Sequence, residues 1–168
     1  MPEQLNALSN VFISQLKDMH SAETQLVEAL PKMASAATTE ELTNAFEEHL
    51  NETKGQVKRL EQVFSSIEAE PGGNHCKAME GLIAEGEEII NKAGEPEAKD
   101  AALICGAQKV EHYEIATYGT LREYARILGH SEAQRLLEEN LNEEKAADKL
   151  LTKLAEQSIN EKAVHAAR

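Results

Sequence analysis

The chain has 168 residues and a formal net charge of −13 at pH 7, from 17 Lys and Arg against 30 Asp and Glu. A net charge of this sign repels phosphate, so we expect neither nucleic acid nor an anionic membrane as a partner. Apolar residues make up 41% of the sequence, which is enough for one domain with a full core. Nearly all the acidic residues are Glu, a good helix former, and Gly and Pro are few. This composition predicts a mostly helical protein and excludes an all-β or a parallel α/β fold.

Neither export nor disulfide bonding is indicated by the sequence. The two cysteines, Cys76 and Cys105, are too few for a disulfide framework or a thiolate zinc site. The first residues lack the basic and apolar regions of a secretory signal. No apolar run approaches the roughly 20 residues that cross a bilayer. We therefore expect a cytoplasmic protein.

Five helices are predicted from the periodicity of the apolar residues and from the residues that interrupt it. A capping box at 38–41 opens the second helix, and another, formed by Ser131 and Gln134, opens the fifth. Gly94 and Gly129 end the third and fourth helices. The predicted helices run from about 5 to 36, from the box at 38–41 to a Pro-Gly-Gly stop at 71–73, from 77 to 93, from 96 to 128 and from 131 to 158. They form a single domain at 1–159, followed by a frayed tail at 160–168.

The loop lengths constrain how the long helices are connected. Helices one and two are joined by a few residues, as are helices four and five, so each pair is antiparallel. About 30 residues, including the short third helix, separate the two pairs, and this length can run from one end of a bundle to the other. The chain is thus predicted to be an all-α, ferritin-like four-helix bundle with one long crossover that contains a short extra helix. A simple up-down bundle with a long loop is the alternative.

Each long helix carries ionisable residues at mid-length on its apolar face. They are Glu23 in the first helix, His49 and Glu52 in the second, Glu111 and Glu114 in the fourth, and Glu144 and Asp148 in the fifth. A pair of Glu residues three apart is frequent in a Glu-rich chain and carries little weight alone. The coincidence of such residues at one level of all four helices is the informative observation.

A layer of buried carboxylates requires compensating positive charge. Each isolated buried ion costs several kcal/mol, and no Lys or Arg occupies these inward positions. Fe and Mn accept carboxylate oxygen together with imidazole nitrogen, and the set is large enough for two ions. The sequence therefore predicts a dinuclear Fe or Mn centre. In the competing interpretation the helices are rotated, and these residues are surface glutamates beside the core.

Several segments that contain these residues are familiar. The chain resembles the YciF/YciE family of bacterial stress proteins over nearly its whole length, in the segments 21–26, 49–53, 107–116 and 141–145. The resemblance implies a ferritin-like bundle with a dinuclear metal site, a homodimer and induction under stress. The chain differs from ferritin and rubrerythrin, which use Glu-x-x-His on two helices. Here His49 precedes Glu52, and the fifth helix contributes Glu144 and Asp148 but no His. A set of one imidazole and otherwise carboxylate oxygens is chemically hard. It favours Mn or ferric iron, with Mg or Ca as further candidates in vitro.

We hypothesise redox chemistry on O₂ or peroxide, with no catalytic residues beyond the metal ligands and with an unknown electron donor. Glu52 and Glu144 are predicted to bridge the two metals, and the other five residues to be terminal ligands. The alternative function is that of a helical structural or interaction protein without turnover.

Three further residues are assigned from their positions alone. Tyr118 is interpreted as a core residue in preference to a hydrogen-bond donor at the site. Cys105 is predicted to lie in the core, and Cys76 to be near the surface.

Overall fold

The computed structural model describes residues 5–166, and these form an all-α fold, as the composition predicts. The helices are α1 (Leu8–Ala36), α2 (Glu40–Ser66), α3 (Lys77–Asn91), α4 (Pro96–Ile127), α5 (Ser131–Leu154) and α6 (Asn160–His165), with a π-helical turn at Ala155–Ile159 before α6. The four long helices and the short third helix match the predicted segments closely. In the described part of the chain, no helix is long and apolar enough to cross a membrane.

The four long helices form the bundle. Helix α1 packs on α2 and α4, and α5 packs on α4 and α2, so each helix has two bundle neighbours. Helix α3, in the crossover between α2 and α4, lies against α1 and α4. This is the predicted connectivity of two antiparallel pairs joined by one long crossover, and the ferritin-like four-helix bundle is confirmed.

The core follows the apolar face of each long helix. Phe12, Leu16 and Met19 of α1 are fully buried, as are Leu103 and Leu121 of α4. The apolar layers lie on both sides of the mid-length positions where the sequence places its acidic residues. The core therefore forms two apolar regions with a polar layer between them.

The connection between α1 and α2 is held by a residue that the sequence reasoning missed. Thr39 precedes α2, but neither Thr38 nor Thr39 caps the helix through its side chain, so the predicted capping box is wrong. The carboxylate of Asp100, fully buried in α4, instead accepts hydrogen bonds from the backbone amides of Thr38 at 2.8 Å and Thr39 at 2.9 Å. A carboxylate distant in sequence thus binds the two amides that precede the helix, and the connection is tied to α4.

The start of α5 differs from its predicted cap in the same way. His130 is the residue before the helix, and no side chain caps it, so the predicted box of Ser131 with Gln134 is absent. Gly129, which ends α4, has a φ of 78°, a conformation that favours glycine.

At the other end of α5, a π-helical turn leads into α6, which packs against α4. The chain is therefore helical through Asn160–His165, within the segment predicted to be a frayed tail.

Both cysteines lie in environments opposite to those predicted. Cys105 is exposed, on a side of α4 that lines an open groove together with Ala155 and Asn160. Cys76 is fully buried at the start of α3, where its sulfur accepts from the amide of Met79 and lies 3.1 Å from the Tyr113 hydroxyl. The Tyr113 hydroxyl donates in turn to Asp18 of α1, so this network fastens the crossover to the bundle.

Candidate metal centre

Three helices bring four ionisable side chains together in the middle of the bundle. His49 comes from α2, Glu111 and Glu114 from α4, and Glu144 from α5. Each offers a possible ligand atom, and these atoms all lie within 4.8 Å of one another. All four residues are buried, so the competing interpretation of surface glutamates does not apply to them. The spacing of three between Glu111 and Glu114 directs both carboxylates to the same face of α4.

Glu23 of α1 adds a fifth buried group beside these four. It is fully buried, and one of its oxygens accepts a hydrogen bond from the Tyr118 hydroxyl. Tyr118 is fully buried in the core, as predicted, and its hydroxyl is also a hydrogen-bond donor to Glu23. The negative charge of Glu144 also raises the pKa of Glu23.

Burial dominates the ionisation of the cluster. Burial raises the pKa of Glu23, Glu111 and Glu114 well above the usual value for Glu, and the nearby charge of Glu144 raises all three further. Burial alone would lower the pKa of His49. The hydrogen bond to Glu52 and the charge of Glu144 outweigh it, and the pKa of His49 is raised overall. The protein alone therefore favours protonated carboxyl groups and a protonated imidazole here.

Buried atoms without partners show that the cluster suits a cation. One oxygen each of Glu23, Glu111 and Glu144, both oxygens of Glu114, and Nε2 of His49 are buried without a hydrogen-bond partner in the described part of the chain. Leaving such atoms unsatisfied costs about 1–3 kcal/mol each, and more when they are charged. A donor set of carboxylate oxygens with one imidazole nitrogen fits Fe or Mn.

The ring of His49 is oriented with one nitrogen toward the cluster. Its Nε2 lies 3.3 Å from Oε1 of Glu111 and 3.8 Å from Oε2 of Glu144. Its Nδ1 lies 3.5 Å from Oε2 of Glu52, whose side chain is 38% exposed. Glu52 is therefore at the edge of the cluster, against the far side of the imidazole ring.

Asp148, also predicted as a ligand, is not brought into the group of four. Its Oδ1 accepts a hydrogen bond from the Gln108 side chain at 3.1 Å and lies 3.4 Å from Nδ1 of His112. The side chain is 23% exposed and lies between α5 and α4, near the surface. Asp148 is about one turn beyond Glu144 along α5, roughly 6 Å, and its carboxylate contacts Gln108 and His112 instead of the cluster.

A polar network behind Glu144 was missed in the sequence. Gln56 is fully buried in α2, and its amide donates to Glu144 and, at 3.1 Å, to Glu143. Arg59, one turn further on, makes two hydrogen bonds to Glu143 and one to Asn140 at 2.7 Å. The sequence reasoning found no basic residue among the inward positions, but the long side chain of Arg59 reaches the bundle from beside them. The spacing of three residues between Gln56 and Arg59 was the available signal in the sequence, because it places both side chains on one face of α2.

Comparisons with known proteins agree with this fold. A family described as a domain of unknown function, DUF892, matches residues 7–164. Protein YciF of Escherichia coli K12 is 49% identical over 160 residues, which cover 95% of this chain and 96% of YciF. The fold and its buried carboxylates define a ferritin-like helical protein. The chain belongs to the DUF892 family, and the predicted resemblance to YciF is confirmed.

Solved structures of three similar proteins have the same fold. The crystal structure of the E. coli stress protein YciF matches with a TM-score of 0.90, covering 93% of this chain and 99% of that one. YcfI, a proposed structural protein from Rhodopseudomonas palustris, matches with a TM-score of 0.87 at 41% identity, covering 90% and 97%. A protein from Xanthomonas campestris pv. campestris matches with a TM-score of 0.76 over 95% of this chain and 97% of that one; at 19% identity it supports the fold alone.

Proposed function

We propose that this protein is a ferritin-like stress-response protein that binds a dinuclear Fe or Mn centre in the bundle core. The observation that carries the proposal is the set of buried oxygen and nitrogen atoms without partners. The ligands would be Glu23, His49, Glu111, Glu114 and Glu144, with Glu144 as the bridging candidate because it neighbours the groups of both α2 and α4. The stress-response role rests on the similarity to YciF, a stress protein.

Glu52 has a different role in this proposal from the bridging role expected from the sequence. A neutral His49 that donates from Nδ1 to Glu52 leaves the lone pair of Nε2 directed toward Glu111 and Glu144. A carboxylate that accepts from the far nitrogen of a metal-binding imidazole fixes its tautomer and raises its basicity. Glu52 would thus orient His49. This arrangement also gives the imidazole a defined protonation state when a cation is bound.

The bound metals would supply redox chemistry toward O₂ or peroxide. The protein's own residues would hold the metals, keep the surroundings apolar and limit water around them. Tyr118 would keep its hydrogen bond to Glu23 and so hold that carboxylate in place. Gln56 would do the same for Glu144, with Arg59 neutralising the neighbouring Glu143.

Metal content per chain tests the proposal directly. Untagged protein, loaded anaerobically with Fe(II) or Mn(II) and dialysed, would be measured by inductively coupled plasma mass spectrometry. About two ions per chain are expected for the wild type and for Glu47→Gln, which alters an exposed residue of α2. Glu111→Gln and Glu144→Ala are expected to hold fewer. A wild-type protein without bound transition metal, or variants with undiminished content, would refute the dinuclear centre.

A structural role without turnover is the second candidate, favoured by the description of the similar protein YcfI as a proposed structural protein. The two candidates differ in one observable. The bound metal of a redox protein is oxidised when peroxide is added and reduced again by a reductant, whereas a structural protein shows no such cycle.

We also propose a homodimer, which gel filtration with light scattering would detect at twice the chain mass of 18.5 kDa.

A further inference from the structure

A small cavity between α2 and α5 connects the surface with the buried cluster. Its volume is about 100 Å³, which is room for a few water molecules, since one water occupies about 30 Å³ in the liquid. Glu48 and Ala146 in its wall are exposed, whereas His49 and Glu111, also in its wall, are buried. The cavity therefore extends from the surface to the candidate metal centre.

Among the described residues, the ionisable side chains that line this cavity are three carboxylates and one imidazole. Glu48 and Glu52 of α2 lie toward the outer end, and no Lys or Arg of the described chain forms an ion pair with either. At the inner end, Nε2 of His49 and one oxygen of Glu111 are buried without a hydrogen-bond partner. The cavity thus presents negative charge at its mouth and unsatisfied ligand atoms at its inner end.

A second cavity, beside α3, reaches the same two buried residues from the other side but is less suited to a cation. Its volume is about 40 Å³, and its wall consists mainly of apolar side chains such as Leu30. The carboxylate in its outer wall, Glu87, is paired with Lys32 at 2.6 Å. A cation that entered there would lose water without gaining oxygen ligands in exchange.

We propose that the cavity between α2 and α5 is the entry route for divalent cations, and that Glu48 attracts them at its outer end. The inference rests on the proposed function, because the route leads to that same metal centre. The attraction of a divalent cation to one carboxylate about 5 Å away in water, screened at 0.1 M ionic strength, corresponds to about fivefold in local cation concentration. Glu48 is outside the proposed ligand set, so its charge should affect the rate of metal uptake and leave the amount bound at saturation unchanged.

The experiment compares the rate of metal uptake by the full-length, metal-free protein and its variants. Each is mixed with excess Co(II) in a stopped-flow instrument, binding is followed by the visible absorption of protein-bound Co(II), and the final content is measured by inductively coupled plasma mass spectrometry. Glu48→Gln is expected to lower the second-order rate constant about fivefold at 0.1 M NaCl and about twofold or less at 1 M NaCl. Glu47→Gln makes the same charge change at the adjacent exposed residue, which does not line the cavity, and is expected to keep the wild-type rate.

A second pair of variants tests the route by its width. Ala147 of α5 lines the cavity between α2 and α5, and Ala29 of α1 lines the cavity beside α3. Ala147→Leu narrows the proposed route and is expected to slow uptake more than Glu48→Gln does. Ala29→Leu makes the same change in the other cavity and is expected to leave the rate unchanged.

Equal rate constants for Glu48→Gln and Glu47→Gln at 0.1 M NaCl would overturn the inference, and so would slower uptake by Ala29→Leu than by Ala147→Leu. The final metal content separates these results from failure of the proposed function. Two ions per chain with an unchanged rate in Glu48→Gln refute the entry route alone. One ion per chain, taken up more slowly by Glu48→Gln than by Glu47→Gln, refutes the dinuclear centre alone. A wild-type chain that takes up no metal refutes both.

Discussion

Replacing Glu114 with Gln is expected to stabilise the metal-free protein at neutral pH and, at the same time, to remove most of its stabilisation by metal. Glu114 is fully buried, neither of its oxygens has a partner in the described chain, and it lies beside the carboxyl groups of Glu23, Glu111 and Glu144. Gln has nearly the same volume but no charge. Its amide can also donate to a neighbouring carboxylate that lacks a donor.

The size of the two effects follows from burial and from linkage. Replacing a buried ion pair by uncharged residues of similar volume is neutral or stabilising by about 1–4 kcal/mol, and we expect a gain within this range when one of several neighbouring like charges is removed. For a chain of this length, each kcal/mol corresponds to about 2–4 °C in Tm. Metal at 100 times its Kd stabilises the wild type by about 2.7 kcal/mol per site, and a 100-fold loss of affinity in the variant would reduce this to about 0.4 kcal/mol.

The pH dependence of the metal-free protein has a defined sign. The pKa values of Glu23, Glu111 and Glu114 are raised in the folded state, mainly by burial. The folded chain therefore retains protons that the unfolded chain loses near the ordinary Glu pKa of 4.5. The contribution of these three groups to stability is expected to be fully present below that value and to be lost as pH rises toward their folded pKa values. Glu114→Gln removes one of these groups and should reduce the fall.

Thermal unfolding followed by circular dichroism tests both effects, at pH 6 and pH 8, in EDTA and in excess MnCl₂. Glu47→Gln serves as the control, because it makes the same chemical change at an exposed position of α2. The control should match the wild type in all four conditions. A metal-free Glu114→Gln variant that melts below the wild type at pH 8, or one that gains as much as the wild type from Mn²⁺, would refute the reasoning.

Two further predictions concern residues outside the candidate ligand set. Asp100→Ala removes the acceptor of the Thr38 and Thr39 amides and should lower the free energy of unfolding by about 2–4 kcal/mol in urea denaturation. A loss below about 0.5 kcal/mol would contradict this role. Gln56→Leu removes the donor to Glu144 and should weaken Mn²⁺ binding by about 10–100-fold in equilibrium dialysis, with helicity unchanged. An unchanged affinity would show that Gln56 does not position Glu144.

The bundle and the main buried residues were predictable because both depend on periodicity. Apolar residues at helical spacing define one face of each long helix, and a polar residue on that face is conspicuous. Glu23, His49, Glu111, Glu114 and Glu144 were found in this way, and all five are buried in the structure. Whether they bind metal stays a prediction.

The positions at the edges of the helix faces were less predictable. Glu52 and Asp148 lie three or four residues from buried site residues, and both are partly exposed. Rotation of the helix about its axis by a few tens of degrees decides whether such a side chain lies in the core or at the surface. The exposure of Cys105 has the same cause, since α4 has five neighbouring elements and periodicity alone does not assign its faces.

Three properties of this protein could be predicted without its structure: that it is helical, how its helices are connected, and that carboxylates and a histidine interrupt the apolar faces at one level. These properties depend on local propensity, on loop length and on spacing along single helices. The packing of the helices was needed to show that Asp100 binds the amides before α2, and that Gln56 donates to Glu144 while Arg59 pairs with Glu143. These contacts join residues distant in the chain, and their geometry depends on how the helices pack.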